Sequence, residues 1–172
     1  SGLASVVPKN ITRTESYKDL FGEEEVNKFI LMTGVNETRR TSKYQTASDL
    51  GYTAASALLN HKNVNRDEIG AIVFGTHSPD YRRPASAFII HKRLGLSVDA
   101  AIFDISLGCS SMVYGLQVVA SMMKCSDMKK ALLIVGDTAG KSVYPKDRAS
   151  VMLVGEASVA VLLEKTDNCK PI

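Results

Sequence analysis

Apolar residues recur at helical spacing in four segments, residues 15–31, 46–63, 85–94 and 110–124. The first segment is interrupted by Gly22 and predicts two short helices that end at Gly34. The second begins with Thr46 as a cap and Asp49 in the first turn, and it continues as an amphipathic helix. Gly95 ends the third. The fourth is apolar nearly all round, so we expect it to be buried.

Four other apolar runs have the length of strands, residues 70–76, 99–106, 131–136 and 151–163. The first is bounded by glycine, which is typical of a buried central strand. Strands therefore alternate with helices, and no internal repeat or linker interrupts them. This order predicts an α/β fold in which helices cover both faces of a sheet.

Composition and charge exclude several classes of protein. The chain has 172 residues, 45% of them hydrophobic and 23% charged, which is typical of one globular domain or half of a larger one. No apolar run approaches the roughly 18 residues of a membrane span, so we expect a soluble protein with no membrane partner. The net charge is only +3 and the basic residues are scattered, which argues against nucleic acid as a partner.

The three cysteines, Cys109, Cys125 and Cys169, are widely spaced and odd in number. This pattern favours free thiols in a reducing compartment over a disulfide framework. The three histidines show no ligand spacing, so a zinc site is not expected. The chain begins with Ser-Gly-Leu and shows no signal sequence, and we therefore expect a cytoplasmic protein.

Cys109 lies where a predicted strand turns into the helix of residues 110–124. A thiol at this position receives the field and the free N–H groups of the helix N-terminus, which favour the thiolate. The small neighbours Gly108, Ser110 and Ser111 permit a tight strand–turn–helix, the geometry by which α/β enzymes present a nucleophile. The alternative is a small buried hydrophobic residue. We interpret Cys125 and Cys169 as small buried hydrophobic residues of this kind.

The histidines offer one weak candidate. His77 ends a predicted strand at the edge where α/β sites gather, whereas His61 and His91 lie on helices and are interpreted as exposed or capping residues. The pair Asp147-Arg148 follows a proline turn, and a loop ion pair is its simplest explanation.

Six segments carry a pattern in their order and spacing: GLASVVPKNIT, FILMTGVNETRR, TASDLGYTAASALL, FGTHSPDYRRPASAFIIHKRLG, FDISLGCSSMVYGL and LLIVGDTAGKSVYPKDRASVMLVGEASVAVLLEK. Together they resemble the N-terminal half of the thiolase-fold condensing enzymes, specifically β-ketoacyl-acyl-carrier-protein synthase III. The resemblance implies a thiolase-like half with a mixed five-stranded sheet covered by helices on both faces. Residues 1–172 would then be the N-terminal domain, and the C-terminal half lies outside this chain.

The resemblance implies an acyltransferase of fatty-acid or related biosynthesis that works through Cys109. In that family the cysteine is acylated from an acyl-CoA, and the acyl group then condenses with malonyl-acyl-carrier protein as carbon dioxide leaves. No cofactor is needed, and the partners are acyl-CoA and an acidic carrier protein. The His and Asn that act in decarboxylation belong to the second half, so this half alone is expected to be inactive, and neither His77 nor His91 corresponds to that base.

Three departures from the family pattern concern substrate binding. The family commonly has a Trp and an Arg at the mouth of the CoA tunnel, where this chain has Lys28 and Met32, while Arg148 matches the arginine that faces the adenine. Arg83 replaces an aromatic residue that reaches the partner subunit's acyl pocket, which suggests a different acyl group. The family's glycine-rich GDGAGA stretch reads GEASVA here.

Two other functions remain open at this point: a catalytically silent thiolase-fold partner subunit, and a condensing enzyme of secondary metabolism with a different acceptor. The departures favour the first of these, and the retained Cys109 opposes it. The resemblance also implies a homodimer that forms through residues 99–106.

Overall fold

The computed structural model describes residues 1–166, which form seven strands and six α-helices. The strands are β1 (Gly2–Val6), β2 (Asn10–Arg13), β3 (Glu37–Arg40), β4 (Ile69–Gly75), β5 (Ala101–Ile105), β6 (Lys130–Asp137) and β7 (Ala157–Glu164). The helices are α1 (Lys18–Phe21), α2 (Glu23–Thr33), α3 (Ala47–His61), α4 (Ser86–Leu94), α5 (Ser111–Lys124) and α6 (Arg148–Val151). Cys169 lies outside the described residues.

Five strands form one mixed sheet in the order β1-β7-β6-β4-β5. Strand β4 pairs in parallel with both β5 and β6, whereas β7 runs antiparallel to β6 and to β1. The expected five-stranded mixed sheet is therefore confirmed. A separate two-stranded sheet of β2 and β3, which the sequence pattern did not indicate, lies beside it.

The side chains of the central strand β4 alternate between two cores. Ile72 and Phe74 pack with α3 and α4 on one face, and Ala71 and Val73 pack with α5 on the other. All four are fully buried. Helices thus cover both faces of the sheet, as the alternation of strands and helices predicted.

The ends of α3 and α4 follow from local chemistry. Thr46 accepts a hydrogen bond from the backbone of Asp49, and the Asp49 carboxylate accepts one from the backbone of Thr46, which closes a capping box. Gly95 adopts a left-handed conformation (φ 65°) after α4, where a residue with a side chain would be strained. Both helix boundaries were predicted.

The N-terminus of α4 is capped from the neighbouring strand. The carboxylate of Asp104 on β5 accepts hydrogen bonds from the backbone of Ser86 (2.7 Å) and Ala87 (2.8 Å). Burial raises the pKa of Asp104 above its usual value, although these two donors act in the opposite direction. The cap joins α4 to the edge strand β5.

The prediction of a strand over residues 151–163 is wrong in its first part. Asp147 accepts a hydrogen bond from the backbone of Ala149 and starts the short helix α6, so the strand begins only at Ala157. Val151 and Met152 pack against Val26 of α2 in a separate small core. Their apolar character reflects that core and not the sheet.

The prediction that α5 is buried is also wrong for this chain. Only one side of the helix, with Gly115, Val119 and Met123, packs on the sheet. On the other side Val113 is 69% exposed and Tyr114 55% exposed. No other element among residues 1–166 covers that side, which leaves an apolar helix face in contact with solvent.

Candidate active site

The carboxyl ends of the parallel strands β4, β5 and β6 meet at one edge of the sheet. His77 and Cys109 lie in the segments that follow β4 and β5, and Asp137 is the last residue of β6. This edge is where open α/β sheets place their ligands, because the strand ends and the following loops form a crevice there. The topology therefore brings the predicted nucleophile to the expected place.

Cys109 lies in the turn between β5 and α5, two residues before the first helical residue. The turn is closed by a hydrogen bond from the backbone N–H of Ser111 to the carbonyl of Gly108 (2.8 Å). The thiol is exposed, which contradicts the alternative of a small buried hydrophobic residue. The backbone N–H of Cys109 makes no hydrogen bond within residues 1–166.

Cys109 lines a cavity of about 510 Å³. The opposite wall comes from the ends of β6 and β7, and the lining includes Met112, Val135, Ala157, Ser158 and Val159. Residues 157–159 of the GEASVA stretch thus form part of the cavity wall, and the Ser158 hydroxyl donates a hydrogen bond to the carbonyl of Val135 (3.0 Å). A largely apolar wall beside an exposed thiol suits an acyl chain.

Asp137 anchors the segment that follows β4. Its Oδ1 atom accepts hydrogen bonds from the Thr76 hydroxyl (2.8 Å), the His77 backbone (2.7 Å), and the backbone and hydroxyl of Ser78 (3.0 and 2.9 Å). The carboxylate therefore holds His77 at the same cavity as Cys109. Sequence reasoning missed Asp137, although its place at the end of an apolar strand gave the same signal that singled out His77.

A second cavity, of about 300 Å³, brings together Lys28, Met32 and Arg148, the three residues assigned to the CoA mouth. Arg148 forms an ion pair with Glu25 of α2, which sequence reasoning missed. The expected loop pair between Asp147 and Arg148 is therefore wrong. A hydrogen bond from Ser150 lowers the pKa of Asp147, which acts as a helix cap.

The remaining candidates lie elsewhere. Arg83 is exposed on the loop before α4 and lines neither cavity. Cys125 is the residue directly after α5, and it is exposed and not buried as expected. His61 is exposed at the end of α3, and His91 bonds the carbonyl of Ser97 (2.8 Å), in agreement with their predicted roles.

Within residues 1–166, no group of three or more His, Cys, Asp or Glu side chains is arranged to hold a metal ion. In the same part of the chain, no helix has the length and apolar character needed to cross a membrane.

The sequence and the fold are similar to those of known proteins. The family described as 3-oxoacyl-[acyl-carrier-protein (ACP)] synthase III matches residues 103–172. A β-ketoacyl-[acyl-carrier-protein] synthase III of Streptomyces coelicolor is 40% identical over 139 residues, which cover 81% of this chain and 41% of the relative. A putative 3-oxoacyl-[acyl-carrier-protein] synthase 3 of Campylobacter jejuni is 32% identical, with 97% and 48% covered.

A solved 3-oxoacyl-(acyl-carrier-protein) synthase of Burkholderia xenovorans superposes with a TM-score of 0.95 at 32% identity, over 98% of this chain and 48% of that one. The chain is a homologue of one half of a synthase III. The resemblance seen in the sequence is confirmed, and so is the fold that it implied. This synthase III homologue spans about half the length of the curated relatives it matches.

Proposed function

We propose that the protein containing this chain is a synthase III-type acyltransferase that forms its acyl-enzyme on Cys109. The Cys109 thiolate attacks the thioester carbonyl of an acyl-CoA, a new C–S bond forms, and CoA leaves as its thiol after taking up a proton. The acyl group then condenses with malonyl-acyl-carrier protein as carbon dioxide is released. No cofactor takes part.

One observation carries this proposal: the exposed thiol of Cys109 lies in a strand–turn–helix at the carboxyl edge of the sheet and lines a largely apolar cavity. The unused N–H of Cys109 is suited to bind the oxyanion that develops on the attacked carbonyl. The names of the relatives supply the reaction class, since they are β-ketoacyl-[acyl-carrier-protein] synthases III.

The donor would approach through the cavity of Lys28, Met32 and Arg148. The positive charges of Lys28 and Arg148 suit the phosphates of CoA or of a carrier-protein arm, and Met32 offers an apolar contact. Glu25 pairs with Arg148, so a phosphate has to compete with that carboxylate. Arg83 would alter the acyl pocket of a partner subunit. We propose the cytoplasm as the location, because CoA and carrier-protein chemistry takes place there.

The exposed face of α5 supports the assignment of residues 1–172 as the N-terminal domain of a longer protein. Val113 and Tyr114 belong to an apolar surface of a kind that monomeric proteins seldom leave uncovered. The C-terminal half would cover it and would supply the His and Asn of the condensation step.

The test is exposure of the full-length protein to a panel of acyl-CoAs, followed by intact-mass measurement and peptide mapping. We expect one acyl group per subunit, attached to Cys109. Absence of acylation across the panel would instead support the silent partner subunit. Acylation without condensation with malonyl-carrier protein would support a secondary-metabolite enzyme with another acceptor.

We also propose a homodimer through residues 99–106. Strand β5 is an edge of the sheet, and all five of its residues are partly exposed, so its free backbone groups can pair with a second copy. Pairing of two such edges across a two-fold axis would continue the sheet through both subunits.

The dimer should dissociate when Ala101 is replaced by lysine, because the new charge would be buried between two apolar strands. Light scattering of the full-length protein at micromolar concentration is expected to show the dimer mass for the wild type and the monomer mass for Ala101→Lys. Leu20→Lys, which adds the same charge to a half-exposed position on α1, should remain a dimer. A wild-type protein that is a clean monomer would refute the proposal.

A further inference from the structure

The imidazole ring of His77 lies directly beside the turn that carries Cys109. A Cβ atom built on Gly108 would lie 2.6 Å from Cε1 and 2.9 Å from Nδ1 of His77, so the ring occupies the space of the side chain that Gly108 lacks. His77 and Cys109 line the same cavity. The ring thus reaches the residue adjacent to the nucleophile, although it comes from a different strand.

The other charged groups around His77 have defined positions. Asp137 accepts a hydrogen bond from the backbone N–H of His77. Its Oδ1 atom accepts four hydrogen bonds in all, and these hold the segment that follows β4. Asp80 and Lys141 line a neighbouring polar cavity that His77 also lines. Among the described residues that line the Cys109 cavity, His77 is the only one with an imidazole, the side chain that enzymes use most often for general acid–base catalysis.

We propose that His77 accepts the thiol proton of Cys109 when the acyl donor is attacked, and that its imidazolium stabilises the thiolate. The proton moves from sulfur to a ring nitrogen, the thiolate sulfur forms the C–S bond to the acyl carbon, and the C–S bond to CoA breaks. The imidazolium then returns the proton to the departing CoA thiolate, so no other reactant is needed. This inference rests on the proposed acyl transfer to Cys109.

A purely structural role of His77 is the alternative, because the ring packs against Gly108 and supports the turn. The two roles make different demands on the side chain. Packing needs a flat ring of similar size, which phenylalanine provides, whereas proton transfer needs a nitrogen base. The variant His77→Phe therefore separates them, and His77→Ala leaves room for imidazole from the buffer.

The experiment measures single-turnover acylation of the full-length protein at pH 7, with one acyl-CoA that acylates the wild type. We expect His77→Phe and His77→Ala to acylate about 100-fold more slowly, within the usual range for loss of a general base. Added imidazole should restore a substantial part of the rate in His77→Ala only. The control His61→Phe, at an exposed position on α3, should match the wild type.

Alkylation by iodoacetamide supplies a second readout that needs no acyl donor. In the wild type, Cys109 should react faster than Cys125. As the pH is lowered, the alkylation rate of Cys109 should begin to fall at a lower pH in the wild type than in His77→Phe. Cys125 serves as the internal control, because its rate should be the same in both proteins. The role of His77 would be overturned if His77→Phe showed the wild-type rates of both acylation and alkylation. It would also be overturned if neither rate changed in any variant.

The two proposals fail in different ways. If no acyl-CoA acylates the wild type, the proposed function is wrong, while the alkylation profile still decides whether His77 affects the thiol. If the wild type is acylated on Cys109 and His77→Phe is acylated equally fast, only the role of His77 is wrong.

Discussion

Replacement of Cys109 by alanine in the full-length protein should abolish acyl-enzyme formation, so that no mass increment appears with any acyl-CoA that modifies the wild type. Alanine lacks the sulfur that forms the thioester, and the described residues that line the cavity include no other thiol. Because Cys109 is exposed, the free energy of unfolding should change by less than about 0.5 kcal/mol. Intact-mass spectrometry and urea denaturation measure the two quantities.

Cys125→Ala is the matched control for that experiment. Cys125 is also an exposed thiol, but it lies at the opposite end of α5 from Cys109 and lines neither the nucleophile cavity nor the CoA mouth. We expect it to be acylated like the wild type. Equal behaviour of the two alanine variants would show that the nucleophile is not Cys109.

The parts of the fold that could be predicted from sequence are those that local chemistry specifies. Thr46 and Asp49 cap α3 with groups three residues apart, and Gly34 and Gly95 end helices because each adopts a left-handed conformation. The buried run of β4 has glycine at its end. Each of these signals lies within a few residues of the boundary that it determines.

The two errors in the fold concern what packs against an apolar segment. Val151 and Met152 look like the start of a strand, yet they pack against Val26, more than 100 positions away, and Asp147 caps a helical turn before them. Apolar residues lie on nearly all sides of α5, and the burial that they predict requires further protein to cover the exposed side. Periodicity reports that a face is apolar, but it does not report what lies against that face.

The candidate site shows the same division. Cys109 could be identified because its strand, small neighbours and helix are contiguous in the chain. The approach of His77 to Gly108 depends on the parallel pairing of β4 with β5, and the ion pair of Arg148 with Glu25 joins two distant helices. Neither contact has a local signature. The groups that surround Cys109 and the CoA mouth could therefore be identified only from the fold.

A further large effect is expected at Glu156, the residue that replaces the aspartate in the family's glycine-rich stretch. Glu156 is buried, and its Oε2 atom accepts a hydrogen bond from the backbone of Thr41 (2.5 Å). Its Oε1 atom lies 3.9 Å from Nη1 of Arg40, whose side chain is 16% exposed and whose Nη2 donates to the carbonyl of Val151 (2.8 Å). The carboxylate thus ties the end of β3 to the segment between α6 and β7.

Glu156→Ala should lower the free energy of unfolding by about 2–4 kcal/mol, because it removes the counter-ion of Arg40 and the acceptor of the Thr41 N–H at a buried site. Urea denaturation of the full-length protein measures the loss. Glu37→Ala is the matched control: the Arg39–Glu37 pair has the same 3.9 Å separation, but its side chains are 39% and 48% exposed, so its loss should stay below about 1 kcal/mol. Equal losses in the two variants would contradict the argument that burial, and not separation, decides the strength of these pairs.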